Sequence, residues 1–537
     1  MYSNKENINI LTALLVAHGV RHAVVCPGSR NAPIVHNLNE CPDIKCYAVT
    51  DERSAGFYAL GMSLSTGGPV VVCVTSGTAL LNLAPAVAEA FYQHARLVVV
   101  SADRPLQWID QLDGQTLPQA DALGRFVGKA VSLPLLAAAA EASDAAEGRW
   151  YCNRLVNEAL LCEHAPVHIN VPIAEPLFEF SVPSLPVERS MEWIPADVSP
   201  MMLSHITRMF MLSKRPMLIS GQPMNPNLDE AVALVADDER YVPDFVLYIG
   251  GSVVSKRVKR FLRKARQTWT VNRSGEVCDT FMNLTKVIQG DGRLVADHIR
   301  FMMETEPHPF VQLWDELLAR VRRHAAAYEP PFSQMAVVKL FEQRAELAGA
   351  GSAVFHYANS SAIRLANIYA RHPVFCNRGV NGIEGSLSTA AGFSVTTDER
   401  VFCVIGDLSF FYDQNALWNR NLRGNLRVLL MNNGRGGIFN MLEGLEQSAA
   451  RDRFVSAEHH AMAEGICRQN NVTYLRAAGW EETAQGLETL IQADSSRPVV
   501  LEVFTDSNQD CRALKDYYRQ LSGGQFESPA DAHSDNT

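Results

Sequence analysis

The chain lacks a long apolar run, a paired-cysteine spacing and an excess of positive charge, and each absence removes a class of protein. No uncharged apolar stretch reaches the roughly 20 residues that span a bilayer, the nearest being LPLLAAAA, so no membrane partner is expected. The 11 cysteines are scattered and none forms Cys-x-x-Cys, which argues against a zinc site or a disulfide framework and for reduced thiols in a cytosol. A formal charge of −10 disfavours the broad basic surface of a nucleic-acid binder, though not a local basic pocket. The start, MYSNKENINILTALLVAHGV, has no basic segment followed by an apolar core and a small-residue cleavage site, and its apolar residues read as a helix face. No export is expected, and the cytoplasm is the expected location. There is no Gly-x-x-x-x-Gly-Lys-Ser/Thr loop and no Gly-x-Gly-x-x-Gly after a strand, so ATP and dinucleotide sites lose support.

What is present is a chain of 537 residues, 47% hydrophobic and 20% charged, long enough for two to four cores. In residues 1–180, the runs HAVVCPGS, PVVVCVTSG, ARLVVVSADRP and APVHINVP alternate with amphipathic stretches, the pattern of an α/β block with parallel strands. The Pro- and Ser-rich segment Phe180 to Met201 reads as a linker. A second α/β block, residues 200–305, is marked by RPMLISG and FVLYIGG. After a break at AAAYEPPFS, a third block, residues 334–522, has strands expected at SAVFHYANS, PVFCNRG, RVFCVIGD, NLRVLLMNN and RPVVLEVF. Residues 523–537 read as a disordered tail. The fold class is therefore α/β, with three α/β domains and parallel sheets. The first and third blocks share one plan, strand, polar turn, helix, strand, polar loop, in VVVCVTSGTALLNLAPAVAEAF–RLVVVSADRP and RVFCVIGDLSFFYDQNALWN–LRVLLMNNGRG.

Two of these strand ends carry hard oxygen ligands. The run Val401 to Ile405 ends in Gly406-Asp407, and 26 positions later Leu429 to Met431 ends in Asn432-Asn433 before a Gly-rich loop. Alone, paired Asn before Gly reads as an ordinary turn. In open parallel sheets, however, ligands sit at the carboxyl ends of strands. One carboxylate and one amide oxygen cannot complete an octahedron around Mg²⁺. The rest must come from a carbonyl, water and phosphates, which implies a diphosphate-bearing partner. A helix beginning near Leu408 and Ser409 points its first N–H groups at such phosphates.

The segment GDLSFFYDQNALWNRNLRGNLRVLLMNN resembles the Gly-Asp to Asn-Asn motif of thiamine-diphosphate-dependent enzymes. That resemblance implies a pyrimidine-binding first domain, a middle domain and a diphosphate-binding third domain. It also implies Mg²⁺, with Mn²⁺ as an alternative, held by Asp407, Asn433 and the main-chain carbonyl of Arg435. Gly406, Leu408 and Ser409 would adjoin the cofactor. Glu52, in TDERSAGFYALG, occupies the position of the glutamate that reaches across a dimer interface to the aminopyrimidine and promotes removal of the thiazolium C2 proton. Read alone, Glu52 is a helix-start acid.

Further stretches, CPGSRNAPI, TDERSAG, SADRP, ANSSAIRLAN and CNRGVNGIEGSLSTAAG, are similar to one branch of this family. Its members act in menaquinone biosynthesis, decarboxylating 2-oxoglutarate and adding the succinyl carbanion equivalent to isochorismate. Both substrates are dicarboxylates, and the matching motifs are rich in arginine, whose planar fork suits carboxylates. The resemblance implies catalytic roles for Glu52, Ser29, Arg30, Gln115, Arg364 and Arg378. Arg104, Lys256, Arg257 and Ser360 would bind substrate. Ile383 would prop the bent cofactor, and Ile438, Phe439 and Leu442 would line its apolar wall, although core packing reads equally well for these four. In SKRVKRFLRKARQ, an amphipathic basic helix with Val258, Phe261, Leu262 and Ala265 on one face, most charges read as solvated. A homodimer or homotetramer with shared active sites is implied. An acetolactate-synthase-like lyase has less need of so many arginines, and a non-catalytic relative is expected to have lost Glu52 or Asp407.

Overall fold

The computed structural model describes residues 1–136, 142–193, 198–221, 226–349, 353–442 and 444–523. The tail expected to be disordered lies outside the described residues, except for Gly523. Val70–Val74 and Leu97–Asp103 are buried at every position, as parallel strands covered on both faces require. They lie at the centre of a six-stranded parallel sheet ordered Lys45–Ala48, His22–Val25, Val70–Val74, Leu97–Asp103, Val167–Pro172, Lys129–Ser132. Alternation sorts the side chains. Val70, Val72, Val74, Leu97 and Val99 share a core with helix Glu52–Thr66, while Val71, Cys73, Val98 and Val100 pack with helix Glu6–Ala17 on the other face.

The third block forms a five-stranded parallel sheet ordered Val354–Tyr357, Val401–Gly406, Leu426–Asn432, Val499–Phe504, Thr473–Ala477. Counted along the chain, that order is first, second, third, fifth, fourth. The six-stranded sheet has the same order once its outermost strand, Lys45–Ala48, is set aside. The repeated plan in the sequence thus has a topological counterpart. The strand expected at PVFCNRG is reduced to a single bridge between Phe375 and His356. Pro373 offers no ladder donor, and the chain turns at Asn377, whose carbonyl accepts from Asn359 Nδ2 at 2.6 Å.

Between these blocks along the chain comes a four-stranded parallel sheet, ordered Leu284–Gln289, Gln267–Asn272, Phe245–Tyr248, Pro216–Ile219. The basic segment forms helix Lys256–Leu262, which buries Val258, Phe261 and Leu262, with Ala265 buried in the turn beyond. The first residues of the segment read as a linker, Phe180–Val182, pair antiparallel with Tyr2–Ser3. Helix Glu52–Thr66 crosses helix Ser386–Ser394 of the third block with backbones in contact. A Cβ on Gly61 would lie 1.9 Å from the Thr389 carbonyl oxygen, and one on Gly392 1.9 Å from that of Tyr58. Among the described residues, no helix is long and apolar enough to cross a membrane.

Candidate active site

The five-stranded sheet delivers Asp407 and Asn433 to the ends of adjacent strands. Asp407 opens helix Asp407–Tyr412 and is only 4% exposed. Its Oδ1 accepts the Leu408 N–H at 2.7 Å, and its Oδ2 accepts those of Asn433 at 3.1 Å and Gly434 at 2.8 Å. The carboxylate therefore ties the two strand ends together. The two asparagines divide the work. Asn432 Nδ2 donates to Glu502 Oε1 at 2.8 Å and to the Ala461 carbonyl at 3.0 Å, while its Oδ1 accepts from Gly434 N–H at 3.0 Å, so it braces the loop. Asn433 Nδ2 donates instead to Asp510 Oδ2 at 2.9 Å. Gly434 takes a φ of 76°, where a side chain would be strained. The Arg435 guanidinium is turned to Asp452 at 3.0 Å and Glu458 at 2.6 Å, so a cation would meet only its main-chain carbonyl.

This donor set suits a hard cation. It comprises one carboxylate, one amide oxygen and one carbonyl, and among the described residues no group of three or more His, Cys, Asp or Glu could hold a metal by itself. Such a partial shell fits an ion that keeps water and phosphate ligands. His459, not singled out in the sequence, adds a buried donor. Its Nδ1 accepts from Ala461 N–H at 3.1 Å, which puts the ring proton on Nε2, an atom with no hydrogen-bond partner that lies 3.5 Å from Asp407 Oδ2. The apolar residues flank this loop. Leu408 and Phe439 close over Gly436, where a Cβ would be 3.4 Å from Leu408 Cδ1 and 2.9 Å from the Phe439 ring. Ile383, Ile438, Phe439 and Leu442 are half-buried, and none is a core residue.

A cationic group occupies the neighbouring strand end. Ser360 turns the chain from Val354–Tyr357 into helix Ser361–Tyr369 with φ 72° and ψ −126°, a conformation that Gly77 adopts in the first block with φ 85° and ψ −141°. A serine held there costs on the order of 1–3 kcal/mol, as strained residues at functional sites do. Arg378 donates from one guanidinium nitrogen to Asn359 Oδ1 at 3.1 Å, while its buried Nε has no partner; burial pulls its pKa down. Lys259 is half-buried, and its pKa falls through burial and the nearby charges of Arg378 and Lys256. Burial pulls the Arg364 pKa down, with the nearby Asp229 and Tyr518 opposing that effect and Arg378 adding to it. Arg257 is instead neutralised by Asp229 at 2.8 Å and lies over the Tyr518 ring. The structure thus gathers Arg364, Arg378, Lys256 and Lys259. Lys259 went unnoticed in the sequence, where its one signal was its place one helical turn after Lys256.

The remaining candidates lie at the carboxyl edge of the six-stranded sheet. Glu52 begins its helix beside the capping residue Asp51, is half-buried, and accepts from Asn82 Nδ2 at 3.3 Å. The buried Cys26 thiol has a raised pKa because of burial and then the nearby Glu52 charge. Ser29 and Gln115 are exposed, and Gln115 lies over Gly77, whose Cβ would be 3.2 Å from the Gln115 Cα. Arg30 is buried against the Ile173 carbonyl at 3.1 Å and Glu175 at 3.2 Å, and Arg104 pairs with Asp113 at 2.9 Å. No hydrogen bond or ion pair among the described residues joins Glu52 to Asp407 or Asn433. The two edges are linked indirectly, by Asn415 Nδ2 donating to Asp51 Oδ2 at 2.6 Å and by Arg53 donating to the Tyr412 carbonyl at 2.8 Å.

Comparison with known proteins agrees with this geometry. Residues 8–123 match the thiamine pyrophosphate (thiamine diphosphate) enzyme N-terminal TPP binding domain, and residues 358–503 the C-terminal TPP binding domain. The fold also resembles that of a benzoylformate decarboxylase from Polynucleobacter necessarius, with a TM-score of 0.68 at 14% identity, covering 94% of this chain and 99% of that one. The chain is a thiamine-diphosphate-dependent enzyme. Among curated relatives, the 2-succinyl-5-enolpyruvyl-6-hydroxy-3-cyclohexene-1-carboxylate synthase of Bacteroides fragilis is 42% identical over 97% of this chain and 100% of its own length. Those of Phocaeicola vulgatus and Flavobacterium johnsoniae are 40% and 32% identical, covering 97% and 94% of this chain and 99% and 97% of their own. The chain belongs to this synthase family.

Proposed function

We propose that the two strand-edge groups are the halves of one catalytic centre, completed between two copies of the chain in a homodimer or a homotetramer. The enzyme is a transferase of menaquinone biosynthesis. It decarboxylates 2-oxoglutarate and transfers the resulting succinyl unit to isochorismate, giving 2-succinyl-5-enolpyruvyl-6-hydroxy-3-cyclohexene-1-carboxylate and CO₂. Bound thiamine diphosphate supplies the nucleophilic carbon and the electron sink for this chemistry. Residues 1–180 serve as the pyrimidine-binding domain, 200–305 as the middle domain and 334–522 as the diphosphate-binding domain, in the cytoplasm.

The observation that carries the reading is Asp407 and Asn433 on adjacent strand ends beside a group of four cations. Asp407, Asn433 and the Arg435 carbonyl would hold Mg²⁺, or Mn²⁺ in its place, which would neutralise the charge of the diphosphate. Gly406, Leu408 and Ser409 adjoin it, and Ile383, Ile438, Phe439 and Leu442 shield the reacting atoms from water. The Glu52 carboxyl would exchange a proton with the cofactor's aminopyrimidine. Arg364, Arg378, Lys256 and Lys259 orient substrate carboxylates, Arg30, Arg104 and Arg257 join them where substrate replaces or shares their pairings with Glu175, Asp113 and Asp229, and Ser29, Gln115 and Ser360 supply neutral hydrogen bonds. A direct test is release of CO₂ from 2-oxoglutarate. Release that requires both thiamine diphosphate and a divalent cation is expected, whereas turnover of pyruvate or benzoylformate with 2-oxoglutarate untouched would refute the substrate assignment.

A further inference from the structure

Glu89, on helix Ala84–Gln93 of the first block, is a carboxylate only 2% exposed that serves a distant part of the chain. Oε1 accepts the N–H of Gly379 at 2.7 Å, and Oε2 accepts the N–H of Val380 at 2.7 Å, some 290 residues further on. Gln93 Nε2 also donates to Oε1. Successive backbone N–H groups that cup an anion form a short, charge-assisted clamp. Its closeness depends on glycine, since a Cβ on Gly379 would lie 2.7 Å from the Glu89 carbonyl oxygen. Among the described residues the hydrogen-bond donors to this buried carboxylate are all neutral, which is costly as packing, and an apolar residue would fill the same space more cheaply.

The clamped backbone begins one residue after Arg378. On its other side the same loop is held by Asn359, whose Nδ2 donates to the carbonyls of Asn377 at 2.6 Å and Gly382 at 2.7 Å, and whose Oδ1 accepts from Arg378 at 3.1 Å. The Glu89 charge also acts on Arg378 itself, opposing the effect of burial on its guanidinium. We propose that Glu89 is a positioning residue for Arg378: by fixing the backbone at Gly379 and Val380 from the neighbouring domain, it sets the direction from which the guanidinium meets a substrate carboxylate. The inference rests on Arg378 binding substrate, as proposed above.

A double-mutant cycle with Glu89→Gln and Arg378→Ala tests it in the full-length protein, reading kcat and KM for 2-oxoglutarate and isochorismate, thiamine diphosphate affinity by fluorescence quenching, and thermal stability. Glu89→Gln is expected to raise the same substrate KM that Arg378→Ala raises, by at least about fivefold, and to add less than about twofold in the Arg378→Ala background. Thiamine diphosphate affinity should stay within about twofold. Glu89→Asp, which keeps the charge but withdraws it by one methylene, should fall between, and it replaces Glu89→Gln if that variant does not fold. Substrate constants unchanged in the Glu89 variant, with or without lost stability, would overturn the proposal. So would effects that multiply in the double variant, since Glu89 would then act independently of Arg378. If Arg378→Ala alone leaves both constants unchanged, the substrate assignment of Arg378 fails first and Glu89 falls with it.

Discussion

Asp510 holds Asn433 by its amide nitrogen, with Oδ2 accepting from Nδ2 at 2.9 Å. A carboxylate only accepts, so the Asn433 oxygen is turned away from Asp510, toward the loop where the Arg435 N–H lies 3.4 Å away. Asp510 is itself pinned by the Gln334 N–H at 2.7 Å and Thr505 Oγ1 at 3.0 Å. Removing that hold frees the amide to rotate. Asp510→Ala should weaken divalent-cation binding by roughly 10- to 100-fold, as loss of a partner behind a metal ligand does. Titration with Mn²⁺ followed by electron paramagnetic resonance, in the presence of thiamine diphosphate, measures this. Unchanged affinity would remove Asn433 from the metal site.

Glu52→Gln tests the proton role. An amide keeps the bond from Asn82, 3.3 Å away in the wild type, but cannot exchange a proton as a carboxyl does. Cofactor affinity should hold while exchange of the C2 proton of bound thiamine diphosphate slows by about 10²- to 10⁴-fold, the usual worth of a general acid-base group. Nuclear magnetic resonance after deuterium quench reads the rate. Exchange as fast as in the wild type would reduce Glu52 to a helix-start acid.

Arg364→Ala and Lys259→Ala should each weaken a substrate, since each removes a charge-assisted contact worth roughly 1.5–3 kcal/mol, or about 10- to 150-fold. Arg364→Lys should recover only part of the loss, because an ammonium keeps the charge but not the planar fork. Steady-state constants for both substrates and the cofactor decide it, with thiamine diphosphate affinity expected to stay level. A selective loss of cofactor binding would place these cations in the wrong pocket.

Stability should vary with pH through Glu230, which is fully buried on helix Leu228–Val235 and accepts from Asn227 Nδ2 at 3.2 Å. Burial, followed by the nearby Asp229 charge, pushes its pKa from 4.5 up to about 8. Between those values the folded protein keeps a proton that the unfolded chain releases, so this group makes stability fall as pH rises, by at most about 1.4 kcal/mol per pH unit. Below the window both states are protonated and the effect vanishes. Glu230→Gln cannot titrate, so its stability relative to wild type should grow from pH 5 to about 8 and then level off. Urea unfolding across that range measures it, and a constant difference would show that Glu230 does not titrate there.

How much of this was legible in the sequence follows from what each feature depends on. Val70–Val74, Leu97–Asp103, Val401–Gly406 and Leu426–Asn432 are near-continuous apolar runs because both faces are covered, and such runs announce themselves. Gln267–Asn272 and Thr473–Ala477 mix polar and apolar residues and gave no comparable signal. PVFCNRG carries a strand's composition, yet its pairing partner is four residues long and the loop beyond is pulled away by Asn359. Asp407 and Asn433 stood out because each directly follows such a run. Asp510 and Glu89 did not, since they act across 77 and 290 residues through bonds that exist only once the domains have packed.

The most direct measurement is the mass of the product formed when the protein is incubated with thiamine diphosphate, Mg²⁺, 2-oxoglutarate and isochorismate. The account predicts a single adduct equal to the sum of the two substrates less CO₂, formed by the wild type and absent with Asp407→Ala, whose carboxylate is the only one assigned to the metal. Release of CO₂ with no adduct, or the same adduct at an undiminished rate from Asp407→Ala, would contradict it.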